Sequence, residues 1–523
     1  MNKIVVYRSH IEVLDYTLGD SPKLEKIFSK YDPLTHKTYP LGRVYDEYKK
    51  IMYLPRGIDI YWIENLLHST AVYYNYASED RSSLYLPTEA KMKYAPRDEV
   101  QETAIKFMLG INEFENLSGC NLQSVNLDTG KGKSYCSIAS IVIRNMRAII
   151  ITSQNEWLKQ WKNYILEYTN IPASAICRID SSNKINLLAK VNTDKNRIYL
   201  VNHSTLLSYA NTYGWDSIGE MFKKLKIGIK IYDEAHLRFE NMCYIDFFTD
   251  VYKTYYVTAT PDRSNNSESF VFNLYMKNVP AINLFDKDTD PHAAYMGIKY
   301  NSHPTALEAK DCKNAYGLDR NRYAEYLVTK DNFYKIAYIL ISKFLNKPGK
   351  LLIYIGVNRS IQVVKDWIES TFRDYAGCVG VYTSLATGDK SAELNHKIIL
   401  STTKSAGAAV DIKGLTQVIN LAEPFKSKVL AKQTFGRLRA SDTLYIDAVD
   451  TGFFYTNKFY ESKKPVYDKY ATKCSEVVLK DDELNAWYHK EKERRAKLFT
   501  PIYYYRNNLD ESGLIKAIIF EDK

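Results

Sequence analysis

The segment Leu127-Asp128-Thr129-Gly130-Lys131-Gly132-Lys133-Ser134 determines the fold expected for this chain. It follows an apolar, strand-like stretch and precedes a helix-like run over residues 138–146. A glycine-rich loop between a strand and a helix lets backbone N–H groups surround phosphates, while a lysine neutralises their charge. The segment therefore predicts a phosphate-binding loop in which Lys133 contacts phosphate and the hydroxyl of Ser134 binds Mg²⁺.

A second polar segment, Asp233-Glu234-Ala235-His236, follows about one hundred residues later. The preceding alternation of Leu225, Ile227, Ile229 and Ile231 predicts a buried strand. Such a strand would deliver both carboxylates to the sheet edge at which the glycine loop lies. We expect Asp233 to bind Mg²⁺, and Glu234 to orient and deprotonate an attacking water. The two segments, in this order, predict an ATP-hydrolysing site.

The composition is that of a large enzyme, with 523 residues of which 45% are hydrophobic. No apolar run approaches the ~18 residues needed to span a bilayer, and the start has no signal-peptide pattern. Seven scattered cysteines without a CxxC pair argue against disulfides or zinc and for a reducing compartment. We therefore expect a cytoplasmic protein, in the host cytoplasm if it is viral, without membrane contact.

The net charge of +10, from 71 basic and 61 acidic residues, suits a polyanionic partner. Many proteins carry such an excess without binding a polyanion, so the charge alone does not identify the partner.

Helical and strand-like patterns alternate from residue 95 onward and predict α/β architecture with parallel sheets covered on both faces. A polar, irregular connector over 264–320 interrupts the alternation, which then restarts. We expect an N-terminal α+β accessory domain, two tandem parallel-sheet domains and a short helical C-terminal extension. Their predicted bounds are 1–90, 91–290, 291–460 and 461–523.

The predicted secondary structure is specific enough to be compared with coordinates. Predicted strands cover 124–127, 148–152, 198–202, 227–232, 254–258, 350–355, 377–382, 397–401, 417–421 and 443–449. Predicted helices include 99–109, 332–345, 360–372 and 428–438.

The second parallel-sheet domain carries Gln433-Thr434-Phe435-Gly436-Arg437-Leu438-Arg439. Arginines that face a γ-phosphate stabilise transition-state charge only when the two domains close around the nucleotide. ATP would then favour the closed form, and hydrolysis would release it. The alternative is an ordinary amphipathic helix with two surface arginines. We expect Gln433, Arg437 and Arg439 to be catalytic.

Taken together, residues 95–455 resemble superfamily 2 helicases of the DEAH-box type, with the motifs in family order. The resemblance implies two RecA-like domains that use ATP and Mg²⁺. Val125-Asn126-Leu127 before the glycine loop, the small N-terminal domain and Asp447-Ala448-Val449-Asp450 resemble phage helicases of the UvsW type. That resemblance implies an enzyme of recombination, repair or replication that unwinds DNA or migrates its branches.

The same resemblance assigns further residues to functions. The implied ATP-binding residues are Arg97, Gln101, Thr129, Gly130, Lys131, Gly132, Lys133, Ser134, Gly407 and Asp411. His236, Thr258 and Thr260 would couple the ATP site to the DNA track. The implied DNA contacts, made mainly to phosphates, are Thr152, Ser153, His203, Ser204, Thr402 and Thr403. Serine and threonine at strand ends are also common turn or capping residues, which is the alternative at each position.

Two positions depart from the family pattern. Asp128 stands where the family has proline, which places a negative charge near the phosphate loop. The two arginines of the last motif, Arg437 and Arg439, are two residues apart in place of the usual three. Arg437 is therefore expected to be the main arginine finger.

The expected partner is single-stranded, forked or branched DNA, bound by a monomer. Three alternatives stay open: an RNA helicase, a double-strand DNA translocase that never separates strands, and a non-catalytic nucleic-acid-binding module. The Thr258-Ala259-Thr260-Pro261 form and the Gln160-Trp161 pair favour DNA. Intact Lys133, Asp233 and Glu234 argue against the non-catalytic module.

The N-terminal ninety residues contain none of the ATP-site motifs. Their basic and aromatic residues are expected to contact duplex or junction DNA, with phosphate contacts and stacking from Lys49, Lys50, Tyr53, Arg56 and Trp62. The alternative is a packing or oligomerisation domain with a solvated basic surface.

Overall fold

The computed structural model describes residues 2–32, 36–80, 82–86, 89–128, 130–188, 190–258, 266–284, 293–314, 317–383, 390–406, 412–438, 440 and 442–506. The chain divides into two compact units, residues 1–288 and 289–523. All seven cysteines are free. Among the described helices, none is both long enough and apolar enough to cross a membrane.

A seven-stranded, all-parallel sheet forms the centre of the first unit. Several of its strands, such as Ala148–Thr152 and Ile198–Asn202, are nearly continuous apolar runs, as expected for a sheet covered on both faces. The predicted strands at 148–152 and 198–202 are confirmed to the residue. In spatial order the strands are Ile176–Ile179, Ile198–Asn202, Ala148–Thr152, Ile229–Asp233, Lys253–Thr258, Leu122–Leu127 and Ala281–Leu284.

Helices cover this sheet. The predicted helix at 99–109 is confirmed. The Asp98 side chain accepts a hydrogen bond from the Gln101 N–H at its start, and Gly110 ends it in a left-handed conformation. The helices of the first unit after residue 90 are Glu99–Leu109, Lys133–Arg144, Asn155–Tyr168, Ser182–Leu188, His203–Tyr213, Asp216–Lys224, Phe239–Phe248 and Asn266–Met276.

The second unit repeats the architecture with another seven-stranded, all-parallel sheet. The predicted strand at 350–355 is confirmed to the residue. In spatial order its strands are Val379–Tyr382, Ile398–Ser401, Lys350–Ile355, Leu415–Ala422, Thr443–Asp450, Ala293–Tyr300 and Cys474–Val478. Its helices are Ala306–Asp311, Arg320–Leu327, Asp331–Leu345, Asn358–Thr371, Lys390–Glu393, Thr403–Ala406, Lys428–Phe435, Phe454–Tyr470 and Asp481–Arg506. A two-residue ladder pairs Lys313–Asn314 with Gly317–Leu318.

Two sequence regions hold strands that the pattern did not predict. The expected connector at 264–320 contains Ala281–Leu284 at the edge of the first sheet and Ala293–Tyr300 inside the second. Cys474–Val478, between the two C-terminal helices, is an edge strand of the second sheet. Ala281–Leu284 and Cys474–Val478 are short edge strands with polar residues, whereas Ala293–Tyr300 is a largely apolar run whose strand partners are distant in sequence. The fold class of two tandem RecA-like domains with an N-terminal α+β region and C-terminal helices is confirmed.

The N-terminal region forms a five-stranded mixed sheet with two short helices. In spatial order its strands are Val44–Asp46, Ile51–Pro55, His10–Leu14, Lys3–Val6 and Ala71–Tyr73. A separate hairpin pairs Ser29–Asp32 with Lys37–Pro40, and the helices are Pro22–Ile27 and Ile60–Leu67.

The N-terminal sheet shares a continuous hydrophobic core with the rest of the first unit. At Gly57 a Cβ atom would lie 1.9 Å from the carbonyl oxygen of Tyr275, so the two backbones meet closely there. Tyr53 is 4% exposed and its ring packs 5.0 Å from that of Phe248. The expected stacking of Tyr53 on bases is therefore wrong, because core packing covers its ring. These contacts agree with the packing alternative for this region.

The basic residues of this region are only partly available to a ligand. The ammonium of Lys49 lies 2.7 Å from the Asp216 carboxylate, Arg56 and Trp62 are half-buried, and Lys50 is exposed. A reading of junction DNA by residues 1–90 stays a prediction, and Lys50 is the most accessible of the five residues proposed for it.

Candidate active site

The glycine loop lies at the carboxyl end of the strand Leu122–Leu127, directly before the helix Lys133–Arg144. Gly130 and Gly132 have φ values of +85° and +86°, which side chains with a Cβ rarely adopt. A Cβ at Gly132 would also lie 2.2 Å from Nε2 of Gln101. The positive φ values of the turn therefore favour glycine at both positions, and the loop places its backbone N–H groups at the start of a helix.

Lys133 is the first residue of that helix and its ammonium stays close to the loop. Nζ donates to the carbonyl of Leu127 at 3.4 Å and lies 3.9 Å from Oε1 of Glu234. The side chains of Lys133 and Glu234 are 12% and 9% exposed. A partly desolvated cation beside a helix N-terminus is suited to bind phosphate.

A backbone turn places the two carboxylates on the same side as Lys133. Asp233 ends the strand Ile229–Asp233, and Glu234 has a left-handed φ of 51°. Successive side chains of a strand point to opposite faces, so the turn at Glu234 is what lets its carboxylate approach Lys133. The Ala235 N–H donates to the Val257 carbonyl at 3.0 Å and fixes the turn against the neighbouring strand. Strained backbone of this kind occurs often at functional sites.

Burial and the adjacent Glu234 carboxylate raise the pKa of Asp233, while Trp161 and Lys133 oppose that shift. A buried carboxylate with a raised pKa is one whose charged form needs a compensating cation. Asp233 and Ser134 offer oxygen ligands, which Mg²⁺ prefers. In the described part of the chain no three His, Cys, Asp or Glu side chains form a complete metal cage. The residues therefore fit Mg²⁺ that is held partly by substrate phosphates and water.

Two of the predicted ATP-binding residues, Arg97 and Gln101, contact the glycine loop. The Arg97 N–H donates to Oε1 of Gln101 at 2.9 Å, and Nε2 of Gln101 is 3.4 Å from the Lys131 carbonyl. The Arg97 guanidinium also lies 3.5 Å from the Gly130 carbonyl. Their binding of ATP stays a prediction. Asp128, the departure from the family pattern, is 5% exposed and its carbonyl accepts from the Lys131 N–H at 3.2 Å.

Two of the predicted coupling residues are in contact. Nδ1 of His236 lies 2.8 Å from the hydroxyl of Thr258 and 3.3 Å from Oε2 of Glu234. His236 therefore connects the carboxylate turn to the end of the neighbouring strand Lys253–Thr258. Thr260, the third coupling residue, lies outside the described residues, as do Thr129, Gly407, Asp411 and Arg439.

The nucleic-acid contacts predicted in the first unit differ in availability. Ser204 is exposed, and the half-buried Ser153 has a hydroxyl without a hydrogen-bond partner among the described residues. Thr152 is fully buried and its hydroxyl donates to the Gln154 carbonyl at 2.8 Å. His203 is 2% exposed and stacks on Tyr232 at 5.8 Å. The exposed side chain of Ser204 is therefore accessible to a phosphate, whereas the Ser153 hydroxyl and the side chains of Thr152 and His203 are buried.

In the second unit, the predicted contacts Thr402 and Thr403 lie at the start of a short helix. The N–H and the hydroxyl of Thr403 both donate to the Glu423 carboxylate, each at 2.6 Å. The hydroxyl of Thr402 accepts from the Ser405 N–H at 3.1 Å. The capping alternative therefore describes the side chain of Thr402, while that of Thr403 binds Glu423. Burial raises the pKa of Glu423 to about 7, against the effect of the Thr403 hydrogen bonds. Glu423 was not predicted, although it follows an apolar strand as Glu234 does.

The arginine motif does not lie on one helix. The helix Lys428–Phe435 ends before Arg437, with Gly436 as its C-cap, so the predicted helix at 428–438 is too long. Gln433 and Arg437 are 9% and 7% exposed. Because Arg437 follows the helix, the spacing of two residues to Arg439 does not decide which arginine is the finger. Glycine lowers helix propensity, and Gly436 explains the early end.

Trp161 was named in the sequence only as part of the Gln160-Trp161 pair, and its contact with the predicted metal ligand Asp233 was not predicted. Its indole Nε1 donates to Oδ2 of Asp233 at 2.7 Å. Trp157 and Trp161 both lie on the buried face of the helix Asn155–Tyr168. Helical spacing indicates only that both tryptophans are buried, so the pattern carries no signal for which of them reaches the carboxylate.

Comparison with known proteins gives two informative matches. Residues 94–263 match the profile of a family described as "Type III restriction enzyme, res subunit". The chain is similar to S. cerevisiae Dbp5 bound to RNA and ADP BeF3, with 15% sequence identity and a TM-score of 0.50. That match covers 76% of this chain and 93% of that chain. A search of curated proteins finds no match.

The chain is also similar to the crystal structure of T4 UvsW, with 14% sequence identity and a TM-score of 0.34, over 91% of this chain and 99% of that chain. The family profile and the fold shared with Dbp5 confirm the resemblance to superfamily 2 helicases. They support an ATP-dependent enzyme that remodels nucleic acid.

Proposed function

We propose that this superfamily 2 helicase couples ATP hydrolysis to movement along DNA, and that it unwinds or migrates forked and junction DNA in replication, recombination or repair. The observation that carries the proposal is the convergence of Lys133, Asp233 and Glu234 beside the glycine loop, with Lys133 Nζ 3.9 Å from Oε1 of Glu234. This arrangement supports phosphoryl transfer to water.

Each residue would perform one part of the hydrolysis. The loop N–H groups and the Lys133 ammonium would bind the β- and γ-phosphates. Asp233 and Ser134 would hold Mg²⁺, whose chemistry is the neutralisation of phosphate charge. Glu234 would orient the attacking water and accept its proton at the carboxylate, which the turn at φ 51° keeps beside the loop.

The proposed nucleic-acid track lies at the carboxyl ends of two neighbouring strands of the first sheet. Ala148–Thr152 and Ile198–Asn202 are paired in parallel, and a helix begins after each of them, at Asn155 and His203. Helix N-termini with the hydroxyls of Ser153 and Ser204 suit contacts to phosphates of any sequence. The side chains of this track would bind the phosphates of a nucleic-acid strand without contacting its bases.

The preference for DNA rests on sequence form. The Thr258-Ala259-Thr260-Pro261 segment resembles that of DNA-acting helicases, and the matching family profile is named for a restriction enzyme. RNA is the second candidate substrate, because the similar Dbp5 structure is described as bound to RNA. A monomer in the cytoplasm is proposed as the active form.

The test is the ATPase rate of the full chain without nucleic acid and with single-stranded DNA, forked DNA or RNA. We expect stimulation by both DNAs, stronger for the fork, and strand separation of the fork in a fluorescence assay. Lys133→Ala is the control that should abolish turnover in every condition. Stimulation by RNA alone would favour the RNA helicase, and stimulation without strand separation would favour a translocase. A wild-type chain without ATPase activity would contradict the proposal.

A further inference from the structure

Trp161 contacts the ATP site directly, although the sequence assigned it no role there. It is 2% exposed, it belongs to the helix Asn155–Tyr168, and its indole N–H donates to Oδ2 of Asp233 at 2.7 Å. We infer that Trp161 is a positioning residue that fixes the metal-binding carboxylate of Asp233 and connects it to the nucleic-acid edge of the first sheet. The inference rests on the proposed function, since it assigns a role within the same ATP site.

An indole N–H is chemically suited to this task. It donates one hydrogen bond and accepts none, so it holds a carboxylate oxygen in one orientation. It carries no charge, so it does not replace Mg²⁺ as the counter-ion of Asp233, as a lysine or arginine in the same place would. A hydrogen bond to the charged carboxylate also stabilises its ionised form, which burial disfavours.

The position of Trp161 in the chain links two parts of the site. Its helix begins at Asn155, two residues after Ser153, and Oδ1 of Asn155 accepts a hydrogen bond from the side chain of Asn202, the residue before His203. The start of the helix therefore contacts both strand ends of the proposed nucleic-acid track. A phosphate that moves this end of the helix would move Trp161 with it, and through Trp161 the carboxylate of Asp233.

The same helix supplies a matched control. Trp157 is 1% exposed, and its Nε1 has no hydrogen-bond partner among the described residues. Trp157→Phe and Trp161→Phe each replace a buried indole by a phenyl ring in the same helix. The two variants differ in whether a hydrogen bond to Asp233 is lost.

The experiment measures the binding of ADP to the full-length chain by calorimetry across a series of Mg²⁺ concentrations and in EDTA. The Mg²⁺ midpoint is the Mg²⁺ concentration at which the tightening of ADP binding is half-maximal. In Trp161→Phe we expect this midpoint to rise about tenfold, which is the effect of losing one hydrogen bond to a charged group. In Trp157→Phe it should match wild type, and ADP binding in EDTA should be equal in all three proteins. Single-stranded DNA should shift this midpoint in wild type and in Trp157→Phe, and not in Trp161→Phe.

Equal Mg²⁺ midpoints in the two variants would overturn the positioning role while leaving the proposed function intact. A wild-type midpoint that responds to neither DNA nor RNA would overturn the link to the nucleic-acid edge. If wild type binds ADP no better with Mg²⁺ than without it, the proposed function fails together with the inference. Should Trp161→Phe not fold, benzothienylalanine at position 161 retains the ring shape without the N–H, and the same tenfold rise is expected.

Discussion

The two parallel sheets have the same topology, but the residues at the ends of their strands make different contacts. Numbered along the chain, the strands of each sheet follow the spatial order 3-4-2-5-6-1-7. In the first sheet, strand 1 leads into the glycine loop and a helix of 12 residues that starts at Lys133. In the second sheet, the equivalent strand Ala293–Tyr300 is followed by a helix of only 6 residues, Ala306–Asp311.

Carboxylates occupy equivalent strand ends in both units and differ in what they contact. Strand 5 of the first sheet presents Asp233 and Glu234 to Lys133, whereas strand 5 of the second sheet is followed by Glu423, which accepts both hydrogen bonds of Thr403. Asp450, at the end of strand 6 of the second sheet, accepts from the N–H of Ser302 at 2.9 Å and from its hydroxyl at 2.6 Å. The second sheet therefore uses its strand-end polar groups to hold its own loops. A duplicated fold does not by itself duplicate the chemistry.

The largest expected effect tests whether the second unit contributes to the reaction at all. Arg437→Ala should lower the ATPase rate by about 10³-fold, the usual cost of removing a γ-phosphate arginine, with little change in ATP affinity. Arg439→Ala is the comparison variant, and the larger loss of the two identifies the arginine that acts on the γ-phosphate. Steady-state kinetics and nucleotide titration separate the two parameters. Normal turnover in both variants would confine the whole reaction to the first unit.

The next effect contrasts the equivalent carboxylates directly. Glu234→Gln should lower turnover by ~10²-fold or more, because it removes a general base while retaining the shape of the side chain. ATP binding should persist. Glu423→Gln, at the equivalent strand end, should reduce turnover less than tenfold, since Glu423 accepts the two hydrogen bonds of Thr403 and holds that loop. A greater loss in Glu423→Gln than in Glu234→Gln would reverse the comparison of the two sheets.

A smaller effect tests the contact between the N-terminal region and the helix Asn266–Met276 of the first unit. Gly57→Ala places a Cβ 1.9 Å from the Tyr275 carbonyl and should destabilise the first unit by about 1–3 kcal/mol through overpacking. Gly119→Ala is the matched control, because a Cβ there would contact nothing within 4 Å. Thermal unfolding of the full chain measures both. Equal melting temperatures for the two variants would mean that residues 1–90 pack loosely.

The sequence allowed the fold and the centre of the site to be predicted because both depend on local patterns. Apolar runs such as 148–152 end in polar residues, and the glycine spacing before Lys133 has few structural uses. Strand Ala293–Tyr300 was missed because its pairing partners are distant in sequence, and β-structure depends on such partners. The burial of Tyr53 and His203 and the bond from Trp161 to Asp233 are likewise tertiary contacts that no local spacing encodes.

The smallest expected effect is an opposite pH dependence of stability from one buried group in each unit. Burial lowers the pKa of His203 from 6.5 to about 3, so below pH 6.5 the unfolded chain binds a proton that the folded chain does not. This histidine therefore makes the first unit less stable as the pH falls from 6.5 towards 3. Burial raises the pKa of Glu423 from 4.5 to about 7, so between these values the folded chain binds the extra proton, and the second unit loses stability as the pH rises through this range.

His203→Phe, which retains a ring against Tyr232, should reduce the loss of melting temperature between pH 7 and pH 5. Glu423→Gln should instead reduce the loss between pH 5 and pH 7.5, and melting curves at these three values measure both slopes. If either substitution leaves its slope unchanged, the group titrates near its ordinary pKa in the folded protein, and its strand end is more open to water than the contacts of Tyr232 or Thr403 indicate.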